Sequence, residues 1–103
     1  MICVVATIVL KDGKRENYLE EIRKILATVR QEKGCIEYTP TVDVDTGSNF
    51  QIKNRPDTVI ILEKWDDLEA LKNHGASPHM TDFRSAVKEF VQSMQLQMLT
   101  PAQ

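Results

Sequence analysis

Both histidines and the single tryptophan of this 103-residue sequence fall within fifteen positions of one another, in the stretch VIILEKWDDLEALKNHGASPHMTDF from Val59 to Phe83. Imidazole is the side chain whose ordinary titration lies nearest neutrality, so His74 and His79 are the candidates for moving a proton at physiological pH. Trp65 offers a flat apolar plate with one N–H donor, and Tyr38 adds a phenol from the preceding strand-like segment. With Asn73, Arg84 and Thr7 they form a sparse polar set on an apolar wall to which Phe83 belongs, which suits a planar organic ligand. Each has an ordinary reading beside the functional one. Trp65 fits a core or an interface, Tyr38 a structural role, and the histidines could bond the backbone groups freed by a helix break. Glu63 stands in an apolar strand, where an unpaired buried carboxylate is costly enough to imply function unless a cation such as Arg84 meets it.

Other chemistries lack their signatures. No GxGxxG, GxxxxGK[ST], GxSxG, HExxH or CxxC occurs, so nucleotide, flavin and zinc chemistry have no sequence support. His74 and His79 are five apart with Pro78 between them, the wrong spacing for two ligands on one helical face, and no metal site is expected. Cys3 and Cys35 lie in strand-like segments far from any partner and read as buried thiols without a catalytic part.

Thirteen basic and fifteen acidic residues give a formal charge of −2. The signs are interspersed, and no basic block is interleaved with aromatics, so no nucleic-acid partner is expected. No apolar run approaches the roughly 20 residues that span a bilayer. The opening MICVVATIVL lacks a basic flank and a cleavage site. It reads as a strand, and a cytoplasmic address is expected.

The elements that position these residues follow β, α, β, β, α, β within a single domain, residues 1–103. A β-branched strand runs from Ile2 to Leu10 and ends at Asp12-Gly13. From Lys14 to Lys33, Tyr18, Leu19, Ile22, Ile25, Leu26 and Val29 form one helical stripe that Gly34 stops as a left-handed cap. A second strand spans Cys35 to Asp43, its Pro40 marking an edge or a bulge. Phe50 to Lys53 could add a short strand between two turns. The third strand runs from Thr58 to Trp65. Asp66 then caps a helix with Glu69 at capping-box spacing, and Ser77-Pro78 opens a second segment with the stripe Met80, Phe83, Val87, Phe90 and Met94. A short strand-like tail covers Gln95 to Leu99. This order predicts an α+β fold, a ferredoxin-like antiparallel sheet with its helices on one face.

That sheet is apolar on both sides. The first strand carries Cys3, Val5 and Val9 on one side and Ile2, Val4, Ile8 and Leu10 on the other. The third sets Val59 and Ile61 against Ile60 and Leu62. Two helices suffice for one face, so a second copy of the same sheet is expected on the other. Covering several hundred Å² at ~25 cal/mol per Å² is worth on the order of ten kcal/mol before association costs, enough for an obligate homodimer.

The segment EKWDDLEALKNHGASPHM, preceded by GCIEYTPTVD and followed by FRSAVKEFVQSMQLQML, resembles the antibiotic biosynthesis monooxygenase (ABM) family, most of all its bacterial quinol monooxygenase branch. The resemblance covers nearly the whole chain, and its specific core is Glu63-x-Trp65, His74 and Ser77-Pro78-His79-Met80. It implies a dimeric α+β barrel and the oxygenation by O₂ of electron-rich aromatics such as hydroquinones, with no cofactor. His79 or His74 would be the base, Trp65 would stack on the ring, and Arg84 or Tyr38 would steady the oxyanion. Haem-degrading relatives use an Asn on the first strand where this chain has Thr7, so haem is not the expected substrate. A related branch isomerises a phosphorylated signalling sugar. Its phosphate would meet chiefly Arg84, Lys53 and Arg55 here. A non-catalytic quinone-binding dimer is the third reading.

Overall fold

The computed structural model describes all 103 residues. Its elements are β1 (Ile2–Leu10), α1 (Arg15–Arg30), β2 (Cys35–Thr41), β3 (Thr58–Trp65), α2 (Leu68–Gly75), α3 (Pro78–Val87) and β4 (Val91–Leu99). The four strands pair antiparallel in the order β2-β3-β1-β4, the ferredoxin-like arrangement expected. Pro40 lies on β2, an edge strand, where its missing N–H costs the sheet little.

The register builds the two faces. Val4 stands opposite Glu63, Ala6 opposite Ile61 and Ile8 opposite Val59, and all six are buried on the side that the helices cover. Tyr18, Ile22 and Val29 of α1 and Met80, Phe83 and Val87 of α3 close this core from above. On the reverse face Val5, Val9 and Ile60 are only half-buried and Leu62 is exposed. The apolar strip of β1 and β3 expected there is present, and nothing in this chain covers it.

Several boundaries differ from the sequence reading. Helix α1 is shorter than Lys14–Lys33 and ends in a right-handed cap at Gln31, so Gly34 is not its cap. Gly34 has φ +85, its carbonyl accepts from the Asp66 amide, and a Cβ there would lie 2.6 Å from that of Ala70. Glycine is required by a close approach and a left-handed turn, not by helix capping. The cap of α2 is Asp67, not Asp66, its side chain accepting from the Ala70 amide at 2.8 Å. Strand β2 stops at Thr41, and Phe50 to Lys53 forms no strand. Residues 42–57 make a long connection tied across its neck by the Arg55–Asp43 ion pair.

The largest correction concerns Phe90 and Met94. Helix α3 ends at Val87, whose carbonyl accepts from the Phe90 amide, while the Phe90 carbonyl accepts from Lys11 and turns the chain onto the sheet. Met94 is therefore a β4 residue paired with Ile8, not part of the helical stripe. A row of Met94, Leu96 and Met98 satisfies a period of two, and pairing along β1 decides the outcome.

Candidate active site

Where the helices run out over β4 a cavity of about 410 Å³ opens, and twelve of its sixteen lining residues are hydrophobic. Its floor is the inner face of the sheet: Ile61, Ala6, Ile8 and, beyond them, Met94, Leu96 and Met98. Ala6 is the small residue in that floor, and its missing volume helps leave the space open. Leu68, Leu71 and Met80 come from α2 and α3. The polar tips at its edge belong to Tyr18, Tyr38, His74, Lys72 and Arg84.

His74 is held from three sides. Its Nδ1 lies 2.9 Å from Glu32 Oε2, its ring stacks on Trp65 with centroids 4.6 Å apart at 35°, and Tyr38 approaches to 5.4 Å. With Glu32 ionised, Nδ1 carries the proton and donates, which leaves Nε2 as the acceptor. Nε2 makes no hydrogen bond within the protein and is not sealed away from space, so a cavity ligand can use it. Buried imidazole, fixed tautomer and free lone pair are the geometry of a general base.

Two phenols and one carboxyl share this end. Tyr18 and Tyr38 are each 2% exposed, and Glu63 lies directly across from Tyr38 on the neighbouring strand. Burial pushes the Tyr38 hydroxyl above its ordinary value and the nearby Glu63 charge raises it further; burial and Glu63 do the same to Tyr18. Both phenols stay protonated and can donate. Burial also pushes the Glu63 carboxyl upward, opposed by the Trp65 indole N–H that donates to Oε1 at 3.0 Å and by His74.

Of the residues singled out in the sequence, the structure brings His74, Tyr38, Phe83 and Arg84 to the cavity. The others lie elsewhere. Trp65 is wholly buried and supports His74 from below, so it cannot stack on a ligand. Thr7 faces the reverse side of the sheet, because Ala6 and Ile8 on either side of it point into the cavity. Asn73 lines a separate small recess with Lys33, Asp66 and Glu69. His79 opens onto a groove between α1 and α3, and its Nε2 reaches the same Glu32 oxygen at 2.9 Å. Glu63 is met by the indole, not by Arg84, whose guanidinium donates to the Gly75 carbonyl at 2.8 Å. Cys3 and Cys35 are free and half-buried, not fully buried.

Sequence reasoning missed Glu32, Tyr18 and the β4 methionines. Tyr18 carried a signal, being the only residue of the α1 stripe with a polar tip. Glu32 carried none, since it lies beyond the helix in a turn and meets His74 across 42 positions. No helix is long and apolar enough to cross a membrane.

The family model for antibiotic biosynthesis monooxygenase matches residues 1–86. The chain is 36% identical over 103 residues to the Escherichia coli protein named Probable quinol monooxygenase YgiN, covering 98% of each. Among solved structures, SO0527 from Shewanella oneidensis superposes with a TM-score of 0.79 at 27% identity, over 95% of this chain and 87% of that one. PA3566 from Pseudomonas aeruginosa shares the fold with a TM-score of 0.81 at 24% identity, over 99% and 94%. The chain belongs to the antibiotic biosynthesis monooxygenase family.

Proposed function

We propose that this protein is a cofactor-independent monooxygenase that oxidises a hydroquinone-type aromatic with O₂ in the cavity over β1 and β4. The observation that carries this reading is His74 at the edge of an apolar chamber with its Nδ1 held 2.9 Å from Glu32 Oε2, an arrangement that leaves Nε2 to accept. The ring lies against Met94, Leu96 and Met98, which become buried as it binds. Nε2 takes the phenolic proton, and a hydroquinone anion in a dry site is a good one-electron donor to O₂. Radical recombination on the ring and loss of water convert hydroquinone plus O₂ into hydroxyquinone plus water, which balances. Tyr18 and Tyr38, held protonated, donate to the developing oxyanion.

The cations argue against the sugar-phosphate isomerase. Only Lys72 and Arg84 reach the cavity, Arg84 is committed to a backbone carbonyl, Arg55 is paired with Asp43, and Lys53 lies in a recess of the long loop. A homodimer completes the proposal: a second copy covers the reverse strip of Val5, Val9, Ile60 and Leu62, and the free thiols suit a reducing cytoplasm. Oxygen uptake with a panel of hydroquinones, chelator present, tests the activity. Tight quinone binding without uptake would instead support a ligand trap, and turnover of a phosphorylated sugar would support the isomerase. Sedimentation at nanomolar concentration tests the dimer, and a folded monomer there would refute it.

A further inference from the structure

Glu32, His74 and His79 come from three places and meet. Glu32 lies in the turn after α1, His74 near the end of α2, and His79 at the start of α3. Glu32 Oε2, His74 Nδ1 and His79 Nε2 all lie within 4.8 Å of one another, and both O···N distances are 2.9 Å. We propose that these three groups bind one divalent cation of the zinc class, tetrahedral, with water as the fourth ligand. Five positions apart would be the wrong spacing on one helix, but the break at Ser77-Pro78 puts the two histidines on two helices that converge.

The geometry is close to what the ion needs. Metal–ligand bonds of about 2.0–2.2 Å in a tetrahedron place ligand atoms roughly 3.4 Å apart, so each O···N contact opens by about half an ångström, and the two imidazole nitrogens, which lie within 4.8 Å of each other, close toward the same separation by side-chain rotation. The frame is rigid. Ser77 Oγ donates to the His74 carbonyl at 2.7 Å and sits 3.2 Å from His79 Nε2, which locks the corner between the two imidazoles. The Trp65 ring backs His74. Charge favours a cation, because no lysine or arginine pairs with Glu32 and imidazoles are its only partners. One ligand faces outward: His79 opens onto a groove of about 230 Å³ whose charged walls are Glu21, Lys24 and Asp82, with Lys24 already paired to Glu21 at 2.9 Å. Two imidazoles and a carboxylate suit zinc and its transition-metal neighbours over magnesium or calcium, which prefer all-oxygen shells.

Given the role proposed for His74, an ion at this site also changes the cavity. Coordination takes the Nδ1 lone pair, so the imidazole proton moves to Nε2, the atom that must accept from the substrate. The metal-loaded chain then has a donor where the reaction needs an acceptor. The cation is a reversible inhibitor.

The test is titration of the full, chelator-stripped chain with cobalt(II), followed by the visible band of tetrahedral cobalt, and with zinc by calorimetry. One ion per chain is expected. His79→Ala and Glu32→Gln, checked by their melting temperatures for retained fold, should each weaken binding by more than about 100-fold, beyond the loss usual for an outer-shell partner. A tetrahedral band that never develops, or one that survives unchanged in both variants, overturns the site. Saturating zinc should suppress oxygen uptake and chelator should restore it; full turnover at full occupancy overturns the inhibition. A stripped chain that binds zinc yet oxidises no hydroquinone sinks the reading of His74 and leaves the site standing.

Discussion

The inner face of the sheet has two halves with the same kind of strand and opposite fates. On the β2–β3 side, Val59 and Trp65 are 0% exposed beneath the helices, and Ile22 and Val29 of α1 are equally sealed. Past β1 the face continues onto β4 with Met94, Leu96 and Met98, yet these are 49–57% exposed. Strand β4 pairs with β1 alone, and no helix packs substantially on it. The closed half has already drawn its stabilisation from burial, about 1.5–3 kcal/mol for each large apolar side chain. The open half has not, and holds that free energy for whatever covers it. His74 stands at the boundary, packed on Trp65 and facing the cavity.

The sharpest way to break this comparison is at the boundary. His74→Ala should lower oxygen-dependent turnover of a hydroquinone by roughly 10²–10⁴-fold, the usual worth of a positioned base, while quinone binding persists. Turnover within about threefold of the parent would remove His74 from the chemistry. In the closed half, Trp65→Ala should cost about 3–5 kcal/mol in urea unfolding, since a wholly buried indole leaves a cavity that the core cannot refill. Leu96→Ala, on the open half, should change stability by less than about 1 kcal/mol yet weaken quinone binding. Equal stability losses at the two sites would mean that the halves do not differ. Ala6→Leu fills the floor; its added carbons enter open space, so it should leave the fold intact and abolish quinone binding, which a binding titration reads directly.

The closed half was also the legible one. The stripe in α1 places Tyr18, Ile22 and Val29 in the core, because burial of apolar side chains leaves a periodic trace, whereas β1 and β3, apolar on both sides, announce themselves as strands without telling which face the helices cover. The boundary was legible only by residue type. His74 and Tyr38 stood out as rare polar tips among apolar neighbours, but nothing local distinguishes His74, which faces the cavity, from His79, which turns toward α1. That difference is set by the helix break and by Glu32, a contact across 42 and 47 positions. Trp65 misled for the same reason. A strand-end indole reads as a platform until its N–H is seen committed to Glu63 two residues back. The open half was the least legible, since methionines at Met94 and Met98 fit both a helical and a strand period, and only pairing with β1 decides between them.

Glu63 tests whether the boundary is as dry as its lining suggests. Burial raises its carboxyl above the ordinary carboxylate value of about 4.3, so over the interval between the two the folded chain holds a proton that the unfolded chain has lost. Stability must therefore fall as pH rises through that interval, from the ordinary value to the raised one, and level off above it. Other carboxyls act in the opposite sense: the hydrogen bonds from Arg55 hold Asp43 below its ordinary range, so its contribution is lost as pH drops. Total stability against pH mixes the two, but the difference between the parent and Glu63→Gln does not, because Asp43 is common to both. Glutamine keeps an oxygen for the Trp65 N–H and carries no charge at any pH. Relative to the parent, Glu63→Gln should gain stability steadily as pH climbs through the interval and be the more stable protein at neutral pH, by urea midpoints measured at both ends. Two parallel curves would mean that water reaches the carboxylate freely, and the chamber beside it would then be too wet to favour a reactive phenolate.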